Sequence, residues 1–200
     1  MIEYKNMSIE LLEKNNKTFK IRVTNCTLQR SISIRNILYS SIKTYAPYLV
    51  VFHANDNNFS IKCSEIAHRV GLFIVQNSLL DKKMKQGEYF KCKINYTAKE
   101  DYEDVRSDLI ELLDQNDNPT GIYPFYEGFL INQLMKNQTI HFDIYLNKDT
   151  SERHLKYRPG NMIKFKDMEN DTYEMEIESF GILDIEIFYN KFIKYNKKLV

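Results

Sequence analysis

The sequence predicts a mixed α+β fold. Residues 17–23 (Lys-Thr-Phe-Lys-Ile-Arg-Val) and 88–97 alternate polar and apolar side chains, the mark of half-buried strands. Residues 33–45 and 184–198 instead repeat apolar residues at helical spacing, and they lie toward opposite ends of the 200-residue chain. Between them, short apolar runs are bounded by turn formers, which suits further strands.

Taken in order, the 17–23 strand leads to a helix for which Ser31 or Ser33 is the expected cap. Its apolar face is Ile34, Ile37, Leu38, Ile42 and Tyr45, and Pro47 is expected to end it. Residues 48–53 (Tyr-Leu-Val-Val-Phe-His) suit a buried strand, followed by the turn formers Asn55-Asp56-Asn57-Asn58. A short helix is expected from Ser64 to Gly71, then an apolar strand from Leu72 to Val75. Residues 101–115 have an acidic start and place Tyr102, Val105, Leu109, Leu112 and Leu113 on one helical face, so an amphipathic helix is expected there. Past the turn-rich 116–121 come strand patterns at 129–134, 139–146 and 173–178. The last helix starts near Asp184, with Ile185, Phe188, Phe192, Ile193 and Tyr195 on one face and lysines in its final turn.

The totals exclude several classes. A hydrophobic fraction of 43% with 28% charged residues belongs to a globular chain. A net charge of +1 supplies no general attraction to nucleic acid or to acidic membranes. Cys26, Cys63 and Cys92 are too sparse for a disulfide framework and form no metal-binding pair, so an intracellular, reducing compartment is expected. The opening Met1-Ile2-Glu3-Tyr4-Lys5 lacks the apolar core of a signal peptide, and no run approaches the ~20 apolar residues of a membrane span. No membrane partner is expected.

No phosphate-binding glycine motif or nucleophile elbow is present. His53, His68, His141 and His154 are scattered, and none pairs with a glutamate at helical zinc-site spacing. The carboxylates Glu100, Asp101, Glu103 and Asp104 are explained by a helix start. No catalytic, metal-binding or cofactor-binding residue is therefore expected. The 13% aromatic content leaves a free-standing single-stranded nucleic-acid-binding protein as an alternative reading.

Five stretches in order resemble the α-like subunit family of multisubunit DNA-dependent RNA polymerases, which comprises the bacterial α N-terminal domain, its archaeal counterpart and the third-largest subunit of eukaryotic RNA polymerase II. Ile34-Arg35-Asn36-Ile37-Leu38 resembles the family's L-R-R-I-L, and Ile66-Ala67-His68-Arg69-Val70-Gly71-Leu72 resembles I-A-H-R-L-G-L. Leu134 with Gln138-Thr139-Ile140-His141-Phe142 resembles L-x-x-G-Q-x-I-x-F. Lys148-Asp149-Thr150 and His154-Leu155-Lys156-Tyr157-Arg158-Pro159 resemble K-G-T and H-A-K-W-S-P. Glu176-Ile177-Glu178-Ser179-Phe180-Gly181-Ile182-Leu183 resembles the V-E-S-T-G-S-L before the closing helix. The chain departs from the family at Asn36, in place of the second arginine, and at Cys63 and Ser64, in place of an acidic pair. Asn137 stands where the family has a turn glycine, a position asparagine tolerates.

The resemblance implies a discontinuous dimerisation subdomain, residues 1–50 and 171–200, made of a sheet and two amphipathic helices. A β-rich subdomain, 51–170, is inserted in it. It implies a non-catalytic assembly subunit that pairs with a smaller α-like subunit and docks the largest and second-largest polymerase subunits, without direct specific nucleic-acid contact or cofactor. The implied pairing residues are Ile34, Leu38, Ile42, Ile185, Phe188, Phe192 and Ile193. Those for the large subunits are Arg35, His68, Arg69, His154, Lys156 and Tyr157. The Asn- and Ile-rich, lysine-biased composition suits an AT-rich coding sequence and leans toward a large cytoplasmic DNA virus.

Overall fold

Antiparallel pairing organises the computed structural model, which describes residues 7–57, 61–81 and 90–197. The chain divides into two compact units: the residues up to Thr44 together with those from Asp149 onward, and Tyr45–Lys148. The junctions expected from sequence were 50/51 and 170/171. Residues 149–170 instead belong with the chain ends, because a strand within them pairs there.

The terminal unit is a four-stranded sheet with two helices. Its strands are β1 (Ser8–Lys14), β2 (Thr18–Thr24), β9 (Gly160–Asp167) and β10 (Tyr173–Ser179), in the order β1-β2-β10-β9. β2 alternates as expected, sending Phe19, Ile21 and Val23 into the core. The sequence pattern anticipates neither β1 nor β9. Both are edge strands carrying charged, largely exposed side chains, a composition that guards edges and hides the strand signal.

Helix α1 (Leu28–Ser40) starts five residues before the expected 33. Thr27 is the cap rather than Ser31 or Ser33, its hydroxyl accepting the Arg30 amide at 3.3 Å. Pro47 does not end this helix; it lies buried in β3 (Thr44–Asn55), an edge strand where its missing N–H is tolerated. Helix α4 (Ile185–Lys197) follows the expected pattern, with residue 198 outside the described residues. Phe19 packs against the rings of Phe188, Tyr189 and Phe192 at centroid distances of 5.4, 5.4 and 5.6 Å, which fastens α4 to β2.

The inserted unit holds the sheet β3-β8-β4-β6, with β4 at Phe90–Thr97, β6 at Glu111–Leu112 and β8 at Thr139–Asp149. It also holds helices α2 (Cys63–Gly71) and α3 (Asn77–Asp81) and the two-stranded ribbon of β5 (Tyr102–Arg106) and β7 (Leu130–Met135). Residues 58, 88 and 89, parts of an expected turn and an expected strand, lie outside the described residues.

Two expectations fail in this unit. The helix expected at 101–115 is β5, a 3-10 turn at Ser107–Leu109 and β6. Pairing of β5 along β7, from Tyr102↔Met135 to Arg106↔Leu130, outcompetes the helical period. Glu103 serves the turn before it, its Oε1 accepting the amides of Lys99 and Glu100 at 2.9 and 2.6 Å, while Asp104 accepts from Arg106 and from Gln133 on β7. The strand expected at Leu72–Val75 reduces to one isolated bridge, Val75↔Phe125. Asn137 adopts φ +65° in the β7–β8 turn, a left-handed geometry that asparagine tolerates.

Candidate functional site

The structure sorts the residues singled out in the sequence into buried and exposed sets. Ile34, Leu38, Ile42, Phe188 and Phe192 are fully buried in the terminal unit's own core, and Ile185 and Ile193 are partly buried beside them. The five buried side chains are therefore not a surface for a partner, a correction to their implied role. Periodicity identified the apolar faces except at the end of the first helix, where Ile42 lies past Ser40 and Tyr45 belongs to β3 and the inserted unit's core; one small sheet suffices to cover them. The outward side of α1 instead presents Leu28 at 56% exposure, Ile32 at 43%, and exposed Arg35 and Asn36.

On α2, Ile66 and Val70 face the core while His68 and Arg69 face outward. Arg69 Nη1 donates to the Ile131 carbonyl of β7 at 3.2 Å, so the arginine helps hold its own unit together. His154 caps a short 3-10 turn, Leu155–Tyr157, with Nδ1 accepting the Lys156 amide at 3.2 Å. Tyr157 is buried, and its carbonyl accepts from Thr44 Oγ1 at 2.7 Å; its ring is not available for docking. Burial pushes the Lys156 ammonium below its ordinary range, and Nζ lies 5.4 Å from the centroid of the Tyr157 ring. Arg35, His68, Arg69 and His154 remain exposed, Lys156 partly so.

Two histidines that looked scattered converge on one face of the β3-β8-β4-β6 sheet. His141 and Asp143 are two residues apart on β8 and so share a face, while Ile140, Phe142 and Ile144 point into the core. His53 comes from the neighbouring strand β3. Its Nε2 lies 3.0 Å from Asp143 Oδ2, and the His53 and His141 ring centroids are 4.5 Å apart. The donor atoms of His53, His141 and Asp143 all lie within 4.8 Å of one another. Lys91 on β4 reaches the same Oδ2 at 3.3 Å and Asp117 at 3.0 Å.

Electrostatics set the charge state of this group. Burial raises the Asp143 carboxyl, but hydrogen bonds from His53 and Lys91 outweigh it and hold the group below the usual carboxylate range. Burial depresses His141, and the nearby His53 and Lys93 add to that, which favours a neutral imidazole. A neutral imidazole, a second imidazole and an ionised carboxylate can hold a cation or relay a proton. The convergence depends on β3 lying beside β8, a pairing between residues about 90 apart in sequence, which no local spacing announces.

Over 205 residues the chain is 28% identical to a Tetrahymena thermophila protein called "Conjugation stage-specific protein", a match covering 89% of this chain. The chain spans 64% of that relative's length. The relative's name specifies a life-cycle stage and no chemistry. No protein-family profile matches the chain.

Proposed function

We propose that this protein is a non-catalytic assembly subunit of a DNA-dependent RNA polymerase. It pairs with a second, smaller α-like subunit and presents a platform to the two large catalytic subunits. The observation that supports this reading is the terminal unit: strands and helices from both chain ends form one core, and a β-rich unit is inserted between them in sequence. That discontinuous arrangement is what the five ordered motifs imply. Two motif-bearing segments also sit on accessible surfaces suited to docking, Arg35 on α1 and His68-Arg69 on α2.

The pairing surface in this reading is the outward side of α1 with Leu28 and Ile32, because the inward face is filled by the chain's own sheet. The test is affinity purification of the tagged full chain from its native cell or infected host. Co-recovery of both polymerase large subunits and a small α-like chain is the expected result. Recovery free of any polymerase large subunit rejects the proposal.

A further inference from the structure

We propose that His53, His141 and Asp143 form a binding site for a divalent first-row transition ion, joining edge strand β3 to β8; this goes beyond the assembly role and does not depend on it. The ligand set argues for the ion class. Two imidazole nitrogens and one carboxylate oxygen suit zinc and its transition-metal neighbours, whereas magnesium and calcium favour all-oxygen shells. Three protein ligands with a further position left to solvent are the pattern of open zinc sites, and the His53 side chain is 41% exposed.

The site is largely preassembled. All three donor atoms already fall within 4.8 Å of one another. Asp143 is buried and oriented by its existing contacts. Only His53 must change. Its Nε2 lies 3.0 Å from Asp143 Oδ2; to bind, the ring must carry its proton on Nδ1 and give the Nε2 lone pair to the ion. Lys91 is a competing cation, because its ammonium lies 3.3 Å from the same oxygen. It has an alternative partner in Asp117, at 3.0 Å, when the ion displaces it. Lys93, paired in register with Asp143, adds a second positive charge that moderates affinity.

Zinc chloride titrated calorimetrically into the full chain near neutral pH tests the site. One zinc per chain is expected. His53→Ala and His141→Ala are each expected to weaken binding by about tenfold or more, in line with losing a ligand or its orientation. Lys91→Met is expected to tighten binding, a direction that a purely structural role for these residues does not produce. Cys63→Ser, His68→Ala and His154→Ala remove the partly exposed thiol and the two other imidazoles and are expected to leave binding unchanged. His53 is exposed enough that its alanine variant should keep its fold, which circular dichroism checks. Absence of zinc binding by the wild-type chain overturns the proposal. So does unchanged affinity in folded His53→Ala, or loss of binding in Cys63→Ser.

Discussion

Gly160 opens β9 where no side chain fits. A Cβ there would meet the Glu178 carbonyl oxygen and the Phe188 ring, whose Cε1 and Cζ would lie at 2.6 and 2.8 Å. Gly160→Ala is therefore expected to lower the terminal unit's stability by about 1–3 kcal/mol, the range for overpacking, measured by denaturant unfolding. Glu174 on β10 has a different sensitivity. Its hydrogen bonds from Arg22 and Lys20 hold its carboxyl below the ordinary range. A carboxylate depressed in the folded state stabilises above its unfolded value of about 4.3, and that contribution fades as pH falls through the folded value. The melting temperature of Glu174→Gln should thus lie below wild type at neutral pH and converge with it in acid. A gap that persists unchanged in acid would contradict the ion-pair account. At this scale the sequence supplied the donor types but not their partners: Arg22 and Glu174 are 152 residues apart.

The helices show how far local pattern reaches. The inward face of α1 and the whole of α4 follow from apolar spacing alone, and burial matches it at Ile34, Leu38, Phe188 and Phe192. The start of α1 depended on a competition among capping residues that Thr27 wins over two serines, and Thr27→Ala should cost about 1 kcal/mol by thermal unfolding. The buried face of α4 and the exposed face of α1 give variants with different expected outcomes. Phe188→Asp on α4 would place a charge in the core and prevent cooperative folding, whereas Ile32→Asp, on the exposed side of α1, should fold normally and, under the proposed assembly role, lose the proposed partner subunit. Gel filtration of co-expressed chains checks both, and an Ile32→Asp protein that still pairs would move the interface elsewhere. The region 101–115 marks the limit of periodicity, since its Val105 and Leu112 spacing suits a helix until β7 and β4 offer strand partners.

Across the whole molecule, two separate cores predict asymmetric fragment behaviour. Residues 45–148 carry a complete core of their own and should unfold cooperatively as an isolated fragment, read by circular dichroism. Residues 1–44 should not fold alone, because β2 needs β10 from the far end of the chain as its neighbour. The same topology explains what could be read in advance. By itself the sequence determined the mixed α+β class, most strands, the two helical faces and the ordered motifs, because each depends on residues close together in the chain. Only the tertiary structure decided which strands are neighbours, where the units divide, that the helices' apolar faces are consumed internally, and that His53 meets His141 and Asp143. Those outcomes depend on long-range antiparallel pairing, in which the register between distant segments is set by competing burial across the fold rather than by local pattern.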